Sequence, residues 1–408
     1  MYALRRCSFV ALITSAVLAG GLPVEPAVAR PADGQQTAIA VTVPTASDGR
    51  LVELPTKLND RGQVVGAVIA APFTVTTVVW RAGTIAELGP ASPPGAALNP
   101  RDISEQGQVV GMRQPTFDQG VPFSWRRGQL VELPIETAAG VASDVSDRGW
   151  ALGVQSDSPF LGGTPVAWTP TGELVTLPEL QPGTVPSGDV AGTSRINDRG
   201  QVALDLLVDG TSRAAVWQVG GAVTLLPTLG GPSSRAVAIN RRGDVVGQSS
   251  TAGGPSHAFL WRARDRRIVD LGTLTGAGNS QGLGLNDRGD VIGLSSGADG
   301  RIRPFLWRAG TMTELPTLGG TSFSPAAFPV DIDNRGRVVG NAEIPGFPGG
   351  PSHAVLWQDG QIVDLGALAA PTDPTMASLA LDINERGQIL GNLLTAPAGH
   401  AVLWTLRA

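Results

Sequence analysis

The sequence is poor in the residues that carry covalent and redox chemistry. Among its 408 residues there is one cysteine, Cys7, one tyrosine, Tyr2, and one lysine, Lys57. Cys7 and Tyr2 lie in a segment that we expect to be removed, so disulfides, thiolate catalysis and cysteine metal ligands are excluded from the mature chain. Lys57 is then the single candidate for lysine nucleophile or Schiff-base chemistry.

Charged residues are also scarce, at 16% of the chain, and the formal net charge is −5. This balance gives no electrostatic reason to expect a nucleic-acid partner. Glycine and proline are abundant instead, at 54 and 32 residues, and no segment has the length and period of an amphipathic helix. The composition favours an all-β protein with a sizeable core.

The first residues are typical of an export signal. Two arginines precede an apolar run at 8–22 that is too short to span a bilayer, and the small residues at 27–29 offer a cleavage site. We therefore predict a signal peptide over residues 1–29 and a secreted, extracellular protein. No later run is long and apolar, which predicts no membrane span.

A repeat dominates the rest of the chain. Its clearest copy has an Asn-x-x-Gly turn at 240–243, the strand His-Ala-Phe-Leu-Trp at 257–261 and the strand Ile-Val-Asp-Leu-Gly at 268–272. The turn glycine recurs every 42 to 51 residues, at Gly62, Gly107, Gly149, Gly200, Gly243, Gly289, Gly336 and Gly387. One tryptophan follows each of these glycines, namely Trp80, Trp125, Trp168, Trp217, Trp261, Trp307, Trp357 and Trp404. We expect these rings to pack between neighbouring copies.

Each copy predicts four short strands. The Asn-x-x-Gly turn joins the first two because asparagine and glycine tolerate positive φ. The third strand carries the tryptophan, and a second tight turn such as Asp359-Gly360 leads to the fourth. Propeller blades have this strand count and about this length, roughly 40–50 residues.

The two ends of the chain supply complementary parts of one more blade. An isolated fourth strand is predicted at 51–55, and the sequence stops after a third strand at 400–404. Pairing them leaves no open edge. We predict a single eight-bladed β-propeller of four-stranded blades over residues 51–408. Its ring is closed by the N-terminal strand, which follows a lead at 30–50.

The His-Ala-Phe-Leu-Trp strand at 257–261 and the Asp-Leu-Gly-Thr-Leu segment at 270–274, with the Asn-x-x-Gly turn, resemble the HAF-repeat family of extracellular bacterial repeat proteins. The resemblance covers about residues 50–408. The third strands at 122–125, 165–168 and 214–217 depart from it because they lack the histidine. The resemblance implies secretion and a repeat architecture, and no activity.

Two polar patterns are candidate sites. The histidines, His257, His353 and His400, share one repeat position, where a local hydrogen bond at the strand start is favoured over a metal site. Four aspartates precede the last apolar residue of the first strand, and a turn arginine recurs nearby. Asp–Arg pairing between blades is favoured over an acidic ring that holds a cation. The aspartates are Asp102, Asp144, Asp331 and Asp382.

The long loops of variable length are expected on one face, opposite the short turns. Because binding residues usually lie in such loops, we predict a non-catalytic binding or interaction scaffold that acts through this face. Its predicted ligand-binding residues are Phe117, Phe160, Phe323, Phe328, Phe347 and Arg235. The alternative is a secreted hydrolase or lyase of extracellular carbohydrate, which would need convergent carboxylates or a histidine base.

These patterns predict no catalytic residue, metal site or cofactor. The expected ligand is an extracellular polysaccharide, peptide or cell-surface component, with no nucleic acid bound. The protein is expected to be a monomer.

Overall fold

A computed structural model describes eleven segments of the chain. They are residues 38–70, 74–89, 97–116, 119–157, 163–187, 195–296, 299–320, 327–345, 351–373, 375–394 and 399–407. The predicted signal peptide lies outside them. Among these residues no helix combines the length and hydropathy that crossing a membrane would need.

The described residues form strands and one short helix. The first half contains β1 (Ala38–Thr42), β2 (Glu53–Leu58), β3 (Val64–Ala70), β4 (Thr74–Arg81), β5 (Thr84–Glu87), β6 (Ala97–Ile103), β7 (Val109–Thr116), β8 (Gln119–Arg126), β9 (Gln129–Glu132), β10 (Ala139–Val145), β11 (Ala151–Ser156), β12 (Thr164–Trp168), β13 (Leu174–Thr176), β14 (Thr184–Pro186), β15 (Arg195–Ile196), β16 (Gln201–Val208), β17 (Thr211–Gln218) and β18 (Val223–Leu225). The second half contains β19 (Gly230–Ile239), β20 (Val245–Thr251), β21 (Ser256–Arg262), β22 (Arg267–Gly272), β23 (Ser280–Leu285), β24 (Val291–Ser296), β25 (Ile302–Arg308), β26 (Thr311–Glu314), β27 (Ala327–Ile332), β28 (Val338–Glu343), β29 (Ser352–Gln358), β30 (Gln361–Asp364), α1 (Leu365–Ala369), β31 (Ser378–Ile383), β32 (Gln388–Leu393) and β33 (His400–Arg407).

The strands of the described segments pair into seven sheets. Five have four strands each, in chain order: β6–β9, β10–β13, β19–β22, β23–β26 and β27–β30. A sixth contains β14–β18, and the seventh has eight strands, with β31, β32 and β33 followed by β2, β3, β4 and β5, and with β1 on β33. The predicted all-β fold built from repeated four-stranded antiparallel units is confirmed.

The two ends are joined mainly by a strand other than the predicted one. β1 pairs with β33 along five residue pairs, from Ala38 with Arg407 to Thr42 with Leu403. The segment predicted as a fourth strand, 51–55, overlaps the start of β2. Its Glu53 pairs with His400 of β33, but β2 pairs mainly with β3. Side-chain burial explains this register, because Ile39 of β1 lies in one apolar cluster with Trp404. The pairing strand therefore lies within the predicted lead.

The tryptophans lie where neighbouring units meet, as predicted. Trp125 packs with Val65 and Val79 of the preceding unit. Several indoles also donate to carbonyls of the preceding unit, such as Trp357 Nε1 to the Pro316 oxygen at 2.7 Å. Seven of the eight repeat tryptophans are no more than 6% exposed, and Trp261 is half-buried.

Asparagine side chains connect consecutive turns. Asn59 Oδ1 accepts from the amides of Arg61 and Gln63 within its own turn, while Asn59 Nδ2 donates 2.9 Å to the Ser104 carbonyl of the next turn. The same link joins the last turn to the first, from Asn384 Nδ2 to the Asn59 carbonyl at 2.9 Å. Gly62 closes the turn at φ +73°, a conformation that costs glycine little.

Candidate functional site

The second residue of each Asn-x-x-Gly turn lines a common cavity. The cavity has a volume of about 320 Å³, and all eight turns contribute to its wall. The eight second residues are Asp60, Glu105, Asp147, Asp198, Arg241, Asp287, Asn334 and Glu385. Six carboxylates therefore surround one guanidinium and one amide. We call this space the acidic cavity.

The carboxylates are held in register by the backbone of the neighbouring turn. The amide of Asp60 donates to Glu105 Oε1 at 2.6 Å, and the amide of Glu105 donates to Asp147 Oδ1 at 2.8 Å. The amide of Glu385 donates to Asp60 Oδ1 at 2.6 Å, which carries the pattern from the last turn to the first. Hydrogen bonds of this charge-assisted kind fix the acidic groups in place without neutralising them.

Arg241 is the one residue of this set with the opposite charge. Its Nη2 lies 2.6 Å from Asp147 Oδ2, and its Nε lies 3.6 Å from Asp198 Oδ2. Burial lowers the pKa of Arg241, but Asp147 and other cavity carboxylates outweigh it and leave the pKa raised. The cavity thus already holds one cation, supplied by the chain itself.

Repulsion among the cavity carboxylates disfavours their charged form. Burial raises the pKa of Glu105, and repulsion from Asp60 and Asp147 adds to the shift. Burial likewise raises the pKa of Glu385. In both cases a hydrogen bond from a backbone amide partly offsets the shift. A cation bound here would stabilise the charged form of both glutamates.

The four inner-strand aspartates form a second group. Each follows a β-bulge in the first strand of its unit, a position that re-aims a side chain. Asp102 accepts from the Val145 amide at 2.8 Å, and Asp382 accepts from the Leu58 amide at 2.9 Å. Asp144 and Asp331 make the same bond to the next unit, to the amides of Ile196 and Ile383.

The predicted Asp–Arg pairing between blades is therefore wrong for these aspartates. They do join neighbouring units, but each accepts from a backbone amide in the first strand of the next unit. That amide lies on the strand edge that faces no described strand. The turn arginines, such as Arg335 and Arg386, are exposed.

These aspartates also form two acid pairs. Burial and the charge of Asp144 raise the pKa of Asp102 well above its usual range. Burial and the charge of Asp382 raise the pKa of Asp331 to about 8. The Asp331–Asp382 pair therefore keeps one proton at neutral pH, as expected for two carboxyl groups that share a site.

Lys57 lies beside one of these pairs. Its Nζ is 3.3 Å from Asp382 Oδ1, and this carboxylate raises the pKa of Lys57. A lysine nucleophile must be a free amine. Lys57 is instead held in its charged form, as an ion-pair partner.

The predicted ligand-binding residues fall in different parts of the chain. Phe117, Phe160, Phe323 and Phe347 lie outside the described residues. Phe328 is half-buried in β27 rather than in a loop. Arg235 belongs to β19, and its Nε lies 3.1 Å from Asp205 Oδ2. This set stays a prediction.

Two histidines make the predicted local contact. His257 Nδ1 lies 2.9 Å from Asp270 Oδ1, and His353 Nδ1 lies 2.8 Å from Asp364 Oδ1, each on the fourth strand of the same unit. Within the described segments, no three His, Cys, Asp or Glu side chains are grouped closely enough to hold a metal ion.

Sequence reasoning missed the acidic cavity although its signal is present. Alignment of the eight turns at their glycines shows that the second residue is acidic in six copies, arginine in one and asparagine in one. The turn explains its first and last positions: the asparagine, where it is present, bonds its own backbone, and the glycine has a positive φ. The charged second residue, which the turn does not require, was the signal of the cavity that the sequence offered.

Comparisons with known proteins find β-propellers among solved structures and no family. No family model matches the chain, and no curated protein matches it. Among solved structures, the β-propeller domain of the Trilobed protease from Pyrococcus furiosus is 12% identical, with TM-score 0.46, over 79% of this chain and 100% of that one. A puromycin-hydrolyzing peptidase of Mycobacterium tuberculosis is 16% identical, with TM-score 0.43, over 86% of this chain. TolB from Acinetobacter baumannii is 10% identical, with TM-score 0.39, over 86% of this chain and 78% of that one.

These likenesses concern the fold alone. The chain spans 58% of the length of the Mycobacterium tuberculosis peptidase. The predicted β-propeller is confirmed as an architecture.

The predicted function is wrong. The similar structures include the propeller domain of a protease and a peptidase. Arg241, which breaks the repeat pattern, lines a cavity at the turns. The turns were predicted as parts that the fold requires, and function was expected only where loop lengths vary.

Proposed function

We propose that the eight units form a closed ring of blades, with β1 as the fourth strand of the last blade. Support comes from contacts between the first and last units. The Glu385 amide donates to Asp60, and the Ala401 amide donates 3.0 Å to the Val52 carbonyl. In such a ring the acidic cavity is the mouth of the axial channel on the turn face.

We further propose that this mouth binds the positively charged end or side chain of a peptide, so that the protein acts in peptide handling. The observation that supports this proposal is the position of Arg241, whose guanidinium donates to Asp147 within the cavity. It marks the position that a cation occupies there. With six acidic residues and one basic residue, the cavity still carries a formal charge of about −5.

The geometry favours an organic cation over a metal ion. One oxygen each of Asp60, Glu105, Asp147 and Asp287 already accepts a backbone amide, and the carboxylates are spread over eight turns around about 320 Å³. A metal needs several oxygens converging at about 2.0–2.6 Å. An ammonium or guanidinium group can instead bond to separate acceptors with its several donors.

The predicted secretion and HAF-repeat membership remain proposals beside this one. Together they would make the bound peptide an extracellular one.

Calorimetric titration with short amidated peptides tests the function. A tripeptide with a free amino terminus and an arginine should bind, and its acetylated all-alanine counterpart should not. Removing the internal cation with Arg241→Ala should strengthen binding, and Asp287→Asn, which keeps a hydrogen-bond acceptor, should weaken it. Each change alters one charge near the ligand, so about fivefold in affinity is expected.

Asp265→Asn is the matched control, because Asp265 is exposed in the turn between β21 and β22. It should leave the affinity unchanged. Equal binding of the acetylated peptide, or an Arg241→Ala variant that binds no more tightly, would overturn the proposal.

A further inference from the structure

A second and larger cleft opens on the same side of the molecule. It has a volume of about 1190 Å³ and lies among the turns of the last three units. Five arginines line it, against two acidic residues, Glu314 and Asp359. The arginines are Arg308, Arg335, Arg337, Arg386 and Arg407. We call this space the arginine cleft.

Two of these arginines are committed to the fold. Arg308 Nη2 lies 3.2 Å from Asp290 Oδ2. Arg337 is 8% exposed and pairs with Asp333 inside its own turn. A Cβ on Gly387 would come within 2.5 Å of Arg337 Nη1, so this guanidinium also lies directly against the next turn.

The other three arginines carry uncompensated charge. Arg335, Arg386 and Arg407 are exposed, and none of them makes an ion pair with a described residue. The lining carboxylate Glu314 is occupied by Arg303 of the adjacent strand, at 3.2 Å. The cleft therefore presents three available guanidinium groups in a chain whose formal net charge is −5.

We propose that the arginine cleft binds an acidic peptide segment through its carboxylates. Guanidinium groups match carboxylates in a two-pronged geometry. Leu306 and Pro316 are half-buried and add an apolar wall to the cleft. A sugar or a base would need an exposed aromatic face to stack on, and the lining Trp357 is 2% exposed. The chemistry of the cleft thus favours a peptide over an acidic polysaccharide.

The cleft adjoins the acidic cavity along the chain. Arg335 follows the cavity residue Asn334, and Arg386 follows the cavity residue Glu385. If the proposed function holds, a peptide whose cationic end enters the cavity places its following residues over the arginines. A ligand with a basic end and an acidic continuation fits both surfaces. The acidic-segment site itself does not depend on the cavity.

Fluorescence anisotropy with labelled, N-acetylated penta-glutamate tests the cleft alone, since this probe has no positive charge for the acidic cavity. The variant Arg335→Ala/Arg386→Ala/Arg407→Ala should lose about tenfold or more in affinity, as expected when charge-assisted hydrogen bonds are removed. The single variant Arg386→Glu should also weaken binding. Arg264→Ala/Arg267→Ala, two exposed arginines at a distant turn, is the matched control and should stay within about twofold.

Equal binding by the triple variant and the control would overturn the proposal. Tighter binding of oligogalacturonate than of penta-glutamate would replace the peptide by a polysaccharide and overturn it as well. Failure of the arginine tripeptide to bind would refute the proposed function of the acidic cavity. The arginine cleft is tested separately, by the binding of penta-glutamate.

Discussion

The acid pair of Asp331 and Asp382 should make the stability of the protein fall as pH rises. Burial and the charge of Asp382 raise the pKa of Asp331 to about 8, whereas an aspartate in an unfolded chain titrates near 3.9. Between these values the folded protein holds a proton that the unfolded chain has released. The stability that this proton contributes is complete below about pH 4 and is lost as pH rises through about 8.

The size of the effect follows from the same linkage. One proton bound only by the folded state gives a slope of about −1.4 kcal/mol per pH unit. Summed over the interval, this is at most about 6 kcal/mol for Asp331. Asp102 acts in the same direction, because burial and the charge of Asp144 raise its pKa.

The test is Asp331→Asn, followed by denaturant unfolding at about pH 4.5, 6 and 8. Asparagine stays neutral throughout and keeps an oxygen that can accept the Ile383 amide. The variant should match the unmodified protein near pH 4.5 and exceed its free energy of unfolding by about 2–5 kcal/mol near pH 8. Asp265→Asn, at an exposed turn, should leave the slope unchanged. If Asp331→Asn loses stability with pH as steeply as the unmodified protein, the shared-proton reasoning is refuted.

Three further predictions concern the fold. Trp404→Ala should lower the free energy of unfolding by about 3–5 kcal/mol, because this fully buried ring packs between units; a loss within about 0.5 kcal/mol would contradict it. Deleting 38–42 should expose the edge of β33 and cause aggregation, and size-exclusion chromatography showing a monomer with unchanged melting would count against this. Gly62→Ala should cost about 1 kcal/mol or more in chemical unfolding, because its φ is +73°, while Gly253→Ala, where φ is not positive, should cost less.

The periodic parts of the molecule could be predicted from the sequence, and the aperiodic parts could not. The Asn-x-x-Gly turns and the tryptophans recur in register, so strand order and inter-unit packing followed from them. The segment at 38–42 shares no repeat feature, and nothing local distinguishes it from a lead. Its pairing with β33 depends on a partner at the far end of the chain.

The partners of the aspartates were hidden for a similar reason. Asp102 and Asp144 each follow a β-bulge, which changes the direction of the side chain, and a bulge is not visible in a residue pattern. The sequence placed arginines nearby, but the bulge directs the carboxylates to backbone amides. Arg241 was visible as an exception among the turns, yet its contact with Asp147, two turns away, required the geometry of the ring of turns.

The pairing of β1 with β33 has a consequence for how the chain can fold. A ribosome releases Ala38 early and releases its partner Arg407 only after every other described strand has emerged. Until then the first unit lacks the Asn384 link and the last apolar cluster lacks Ile39. Contacts so distant in sequence slow folding, and incomplete chains expose unpaired edges. Assembly of the first and last units is therefore a late event, and a chaperone that shields strand edges would be most useful while the final repeat is still being made.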